Sequence, residues 1–388
     1  MTDTTPNRAD AAGGADRGGA DRAGAAGGVP PVMRSAVYRS PGDIGVEERP
    51  VPSPGPGQVL VEVSYCGICG SDLHMMIEGW GKPGAVGGHE YTGTVAAVGE
   101  GVTAWSPGDA VVGGESPRCG ECRRCREGQP SQCERRSAPV DTNTGGGFAR
   151  YVINDARSLL RLPDGMSPRV AALAEPLAVA LHGITRSGMV RGDSAMVFGA
   201  GPIGALTIAA LVAKGLGPVV VVEPGEARRR LATDLGATDV LHPAELETFP
   251  PWEPERQSPR AVDVVLECSG KKAAMECGFH QLRRGGRLVL VGAGIEAPSF
   301  DPNRMILNEL SVTGSFVYDA DGFERALDLL ASGRLPVDVL IDPDDVSLER
   351  LGEAMQGLAE GRIAGKVMVV PGRGAPGPSQ PRQGAEGD

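Results

Sequence analysis

The sequence predicts an α/β protein in two parts, an all-β domain followed by a doubly wound parallel sheet. Three observations predict it. Residues 35–152 carry short β-like runs broken by glycine and proline. From residue 178 onward, near-continuous apolar strands alternate with helical stretches. Between one such strand and its helix lies a glycine-rich turn. A length of 388 residues leaves room for two to three domains, and a hydrophobic content of 41% excludes a wholly disordered chain. Aromatics at 4% argue against an aromatic-lined carbohydrate or single-strand nucleic-acid site. The formal charge of −11 argues against a general electrostatic grip on nucleic acid or an anionic membrane.

Residues 1–31 hold almost no large apolar side chain and read as a disordered tail, as do residues 372–388. In the β part, Gln58–Ser64 and Thr92–Val98 are the clearest strands. In the second part the expected order is strand Ala195–Phe198, helix Ile203–Lys214, strand Val219–Val222 and helix Glu226–Leu235. Strands Val262–Glu267 and Arg287–Val291, an amphipathic helix Gly322–Ser332 and a last strand Lys366–Val370 follow. The segment 242–260 holds five prolines and reads as a surface loop. Ser194–Ala213 is long, uncharged and apolar, but Gly199 to Gly204 in its middle makes it strand, turn and helix rather than a membrane span. No apolar secretory segment is seen at the N-terminus, so a cytoplasmic location is expected. In that compartment eight cysteines point to metal binding or buried thiols rather than a disulfide framework.

Cys119, Cys122, Cys125 and Cys133 form C-x2-C-x2-C-x7-C. Four thiolates so close satisfy a tetrahedral structural zinc with no other ligand, although an iron–sulfur cluster uses the same donors. The arginines around them (118, 123, 124, 126, 135 and 136) read as a solvated knuckle; one short lobe in an acidic chain makes a poor nucleic-acid module. A second constellation is spread out: Cys66-Gly-Ile-Cys69-Gly-Ser71-Asp72-Leu-His74, then Gly88-His89-Glu90, then Ala174-Glu175-Pro176. Three separated sulfur, nitrogen and oxygen donors suit a catalytic zinc with one open position.

The turn Gly199-Ala-Gly201-Pro202-Ile203-Gly204 matches G-x-G-x-x-G between a strand and a helix, and Glu223 ends the next strand. That is the context of a Rossmann dinucleotide site. Gly199 makes the turn, Gly201 lets the backbone approach the pyrophosphate, and Gly204 lets helix and strand pack closely. The charge of Glu223 would repel a 2′-phosphate, which favours NAD over NADP; Arg228, Arg229 and Arg230 pull the other way.

Taken in order along the chain, these motifs resemble the medium-chain zinc-dependent alcohol dehydrogenase family, over nearly all of residues 33–370. The resemblance implies a GroES-like catalytic domain over 32–177 with 319–371, its zinc lobe at 118–134, and an NAD-binding domain over 178–318. It carries the catalytic zinc onto Cys69, His89 and Glu175, and the structural zinc onto the four-cysteine lobe, one of each per chain. A glutamate at Glu175, where classical members have cysteine, resembles the sorbitol and butanediol dehydrogenase branch. Asp72 is expected to accept from the His89 ring, and Glu90 to be a transient ligand or a nearby charge. Ser71 resembles a relay hydroxyl that passes a proton by way of the cofactor ribose to His74. Arg228 is expected at the ribose of NAD, and Val291 and Gly292 along the nicotinamide half. Cys66 and His182 read as packing residues, and Met75, Met76 and Trp80 as pocket lining or packing. The implied activity is reversible hydride transfer between a secondary alcohol, diol or polyol and NAD. The alternatives are a threonine or aldehyde dehydrogenase of the same family, or a non-catalytic nucleotide-binding sensor. A small-molecule substrate and a homodimer or homotetramer are implied, with no nucleic-acid or membrane partner.

Overall fold

The computed structural model describes residues 28–114, 119–135 and 145–372. Most of both expected tails, together with Arg118 and Arg136, lies outside the described residues.

The first part of the chain is antiparallel. Strands β1 (Val32–Ser40) and β2 (Asp43–Pro50) form a hairpin. Strand β3 (Gln58–Gly67) pairs with β4 (Glu90–Val98), which pairs with β5 (Ala110–Gly113). Strand β6 (Tyr151–Asp155) lies on β3, and β7 (Leu160–Arg161) on β5. Val59, Leu60 and Val61 of β3 are buried on both faces, because sheet neighbours and a loop carrying Phe148 cover them. The far end of the chain closes this core: Leu351, Met355 and Leu358 of the helix Leu351–Ala359 pack in the same cluster.

The second part is parallel. Strands β8 (Ala195–Phe198), β9 (Val219–Val222), β10 (Asp239–Leu241), β11 (Val262–Glu267), β12 (Leu282–Leu290) and β13 (Ser311–Gly314) form one sheet in the order β10-β9-β8-β11-β12-β13. This is the doubly wound order, with its switch point between β8 and β11. Both faces are covered, which is why the strands read as unbroken apolar runs. Ala195 and Val197 join one core with Leu206 and Leu211; Met196 and Phe198 join the other with Phe279 and Leu288. A short last strand, β14 (Met368–Val369), returns to β3.

Most sequence expectations hold to within a residue or two. Ser194–Ala213 is strand, glycine turn and helix, and among the described residues no helix is long and apolar enough to cross a membrane. The segment 242–260 is irregular except for a single turn at Pro243–Glu245. The helix that carries Glu175 runs over Ala174–Ser187; the proline in its first turn lacks only an N–H that would have no partner there. Two differences have physical causes. Strand β12 begins five residues early, at Leu282, since Val262 of β11 pairs there before the register shifts. The last strand is shorter than expected: Lys366 bridges Ile341 instead, and its side chain is drawn into the protein.

Candidate active site

Cys69, the N-cap of the helix Gly70–Met76, donates its backbone N–H to Asp72 Oδ2 at 2.9 Å, a capping box that pins the end of β3 to the helix. The other oxygen, Asp72 Oδ1, accepts from Gly88 N–H at 3.1 Å. The expected bond from the His89 ring to Asp72 is therefore replaced by two backbone amides. The carboxylate ties the two metal-binding loops together and acts on His89 through its charge. Gly88 has φ +91, and a Cβ there would lie 2.8 Å from Cys66 Sγ, so only glycine turns the chain into His89. Cys66 is wholly buried beneath this turn, and burial pushes its thiol far up.

Ligand atoms of Cys69, His89 and Glu90 all lie within 4.8 Å of one another. Glu175 is buried in the first turn of its helix, beside Gly114, where a Cβ would lie 3.1 Å from Glu175 Cγ and 3.2 Å from the His89 carbonyl. Burial works against a charged His89, but Cys69, Asp72 and Glu175 outweigh it and hold the imidazole well above its ordinary value. A pocket that gathers this much negative charge around a soft sulfur and a nitrogen suits a divalent cation, and the donor set is that of zinc. One side chain here was missed in the sequence. Lys366, 2% exposed, donates to both oxygens of Glu90 (2.8 and 2.7 Å) and to the Ile68 carbonyl at 3.0 Å. Burial opposes its charge, yet Glu90, Cys69 and Glu175 keep it raised. The only signal was a lysine opening an apolar strand.

Ser71 is exposed on the first turn of the helix. His74 lies in its last turn, with Nδ1 2.7 Å from Glu78 Oε2 and its ring stacked on Trp80 at 4.7 Å. Met76 is core and Met75 packs against it, so neither matches the pocket-lining alternative. His182 is buried as expected, and has a partner: its Nδ1 lies 2.9 Å from Asp319 Oδ1.

Cys119, Cys122, Cys125 and Cys133 also converge, with ligand atoms within 4.8 Å. Backbone N–H groups hold Cys122 down at about 6 and Cys133 below its usual range, while burial pushes Cys125 up to about 12. A closed set of four thiol groups suits structural zinc. Around it, Arg123 and Arg124 pair with Glu127, and Arg135 with Glu121, all exposed, in keeping with a solvated knuckle.

At the glycine turn, Gly199 has φ +88 and Gly201 caps the helix Pro202–Lys214. A Cβ on Gly204 would strike the Gly199 carbonyl. Glu223 Oε2 accepts from Ala200 N–H and Oε1 from Gly225 N–H, both at 2.8 Å, so the acid also braces the turn. Arg228 reaches across to the catalytic part, where Nη2 donates to the Leu358 carbonyl at 2.7 Å, while its guanidinium stays beside Gly201. Arg229 donates to the Glu223 carbonyl at 3.0 Å, and Arg230 pairs with Glu226 on the exposed helix face. Val291 and Gly292 donate to the Glu267 carbonyl at the same sheet edge. The Glu267 carboxylate, wholly buried, accepts from Ser269 and Gly270 N–H; burial raises its pKa. The helix Ala174–Ser187 joins the two sites: Glu175 lies in its first turn, and eight residues on, a Cβ at Gly183 would meet Val291 Cγ2 at 3.0 Å.

Two family profiles match the chain, "Alcohol dehydrogenase GroES-like domain" over residues 55–164 and "Zinc-binding dehydrogenase" over residues 202–332. Sorbitol dehydrogenase of Bacillus subtilis is 33% identical over 354 residues, 89% of this chain and 99% of that protein. L-threonine 3-dehydrogenase of Pyrococcus furiosus is 34% identical over 348 residues, 86% and 98% of the two. The crystal structure of 2R,3R-butanediol dehydrogenase from Bacillus subtilis superimposes with a TM-score of 0.76 at 31% identity, covering 87% of this chain and 99% of that one.

Proposed function

We propose, from the premise that this chain belongs to the zinc-dependent medium-chain alcohol dehydrogenase family, that it interconverts a secondary alcohol, diol or polyol and its ketone with NAD. One observation supports the reading: a single helix bears Glu175, buried beside the loop that carries His89, and about 12 Å on packs against Val291 at the dinucleotide edge. One rigid helix therefore ties the metal residues and the dinucleotide edge together.

Cys69, His89 and Glu175 hold the catalytic zinc in this reading. Both oxygens of Glu90 are engaged by Lys366, so the third position is assigned to Glu175 and Glu90 is kept as a charge beside the ion. The four-cysteine lobe holds the second zinc. Gly199, Gly201, Pro202, Ile203 and Gly204 receive the pyrophosphate, Glu223 the adenosine ribose, and Val291 and Gly292 the nicotinamide half. Bound in these places, zinc would supply Lewis acidity to the substrate hydroxyl and NAD a ring able to take up hydride. Ser71 takes the hydroxyl proton, and His74 receives it on the solvent side and releases it to water. The alcohol carbon is oxidised to a ketone.

Residues 32–177 with 319–371 form the catalytic domain and 178–318 the NAD-binding domain in this assignment. We also propose a homodimer or homotetramer: among the described residues β13 ends the sheet with an unpaired edge, and Ile306 and Leu307 are exposed just before it. Eight cysteines without a disulfide among them accord with the reducing cytoplasm. Threonine is the second substrate class, supported by a relative of nearly equal identity. The test is NAD+ reduction by the zinc-loaded protein on diols, polyols, secondary alcohols and threonine, with NADP+ in parallel. Turnover of a diol or polyol with NAD+ is expected; turnover of threonine alone would replace this reading with the second.

A further inference from the structure

We infer that Glu78 is a positioning residue for proton transfer: it fixes the ring orientation and tautomer of His74 so that Nε2 is the nitrogen left bare to accept the proton. The inference rests on the dehydrogenase reading, in which His74 ends the relay.

The local chain is built for this contact. The helix Gly70–Met76 does not run on into solvent but folds back on its last turn. Glu78 N–H returns to the Leu73 carbonyl, Trp80 N–H to the His74 carbonyl at 3.2 Å and Gly81 N–H to the Met75 carbonyl at 3.1 Å. Gly79 sits between them at φ +85, a backbone state that glycine enters without strain. Two side chains thereby flank one imidazole. Glu78 Oε2 lies 2.7 Å from His74 Nδ1, and the Trp80 ring stacks on the imidazole at 4.7 Å and 16°.

The chemistry follows from the inventory of the groups. A carboxylate only accepts, so a neutral imidazole against it carries its proton on Nδ1 and leaves the Nε2 lone pair open. When Nε2 takes the proton from the substrate hydroxyl, the ring becomes a cation, with the Glu78 charge on one side and an indole face over it. The imidazole side chain is 20% exposed and that of Glu78 35%, so the proton can then pass to bulk water. The hydride and its electron pair go separately to NAD+.

The experiment uses the full-length, zinc-loaded chain labelled with 15N-histidine. The protein has five histidines, and the His74 signals are those lost in H74A. In the wild type the neutral His74 ring is expected to carry its proton on Nδ1; in E78L it is expected to move to Nε2. In kinetics, E78L should lower kcat about tenfold with KM for NAD+ and alcohol little changed, E78Q should recover part of the loss, and E78L should cost nothing further in H74A. Two results overturn the inference: an Nε2–H tautomer in the wild type that E78L leaves unchanged, or wild-type kcat in E78L while H74A is impaired. A wild type without turnover on any alcohol strikes at the dehydrogenase reading, and the tautomer measurement then decides the dyad by itself.

Discussion

The two metal-binding regions are built in opposite ways. The lobe draws four like donors from residues 119–133, two of them partly exposed, and its charged neighbours pair in water. The other cluster gathers unlike groups, Cys69, His89 and Glu90 with the buried Glu175 close by, and Lys366 from the far end of the chain balances Glu90. A contiguous site in high dielectric needs only its ligands. A site assembled across the fold in low dielectric must also neutralise itself, since an unpaired buried charge is costly.

The largest effect that separates the two is on turnover. Glu175→Ala should cut kcat by about a thousandfold or more and remove one of two zinc ions, leaving the melting transition little changed. Cys122→Ser should also remove one zinc, but it should lower stability and leave turnover per folded molecule within about threefold. Metal analysis, calorimetry and activity on the same samples check both, and equal effects on turnover would erase the contrast. Next in size is Lys366→Met, which should cost about 3–5 kcal/mol in denaturant unfolding because Glu90 is left buried and unpaired; adding Glu90→Gln should restore most of it.

A third contrast is in protons. In the metal-free protein His89 is held well above its usual value, so its proton competes with the ion, and cage affinity should rise as pH rises toward that elevated value. In the lobe, Cys122 at about 6 is already thiolate at neutral pH, so zinc binding there should release fewer than four protons. Titration calorimetry of the stripped protein in buffers of different ionisation enthalpy measures both. The smallest effect expected is at the lobe surface: Arg123→Ala, which removes an exposed pair with Glu127, should change stability by less than about 0.5 kcal/mol.

What the sequence alone reveals follows the same division. The lobe, the glycine turn and the apolar strands β8, β9 and β11 were legible because each is a local pattern of spacing or period. Asp72 was legible as a member of the site and misread in its contact: motif spacing places it near His89 but cannot tell a ring nitrogen from the amides of Cys69 and Gly88. Arg228 was expected at the ribose, and its bond to the Leu358 carbonyl depends on how the two parts of the chain pack. Glu78 left no mark in the motif, since its meeting with His74 depends on the turn at Gly79.

The sequence by itself determined the two-part architecture, the metal and dinucleotide motifs and the family, because these reside in residue type at fixed local spacing. The tertiary structure alone decided which ionisable groups face one another: Lys366 on Glu90, Glu78 on His74, Asp319 on His182. Two of these pairs join distant parts of the chain, and the third depends on a single backbone turn. Coulomb energy is set by distance in space and by burial, and neither is written in the order of the residues.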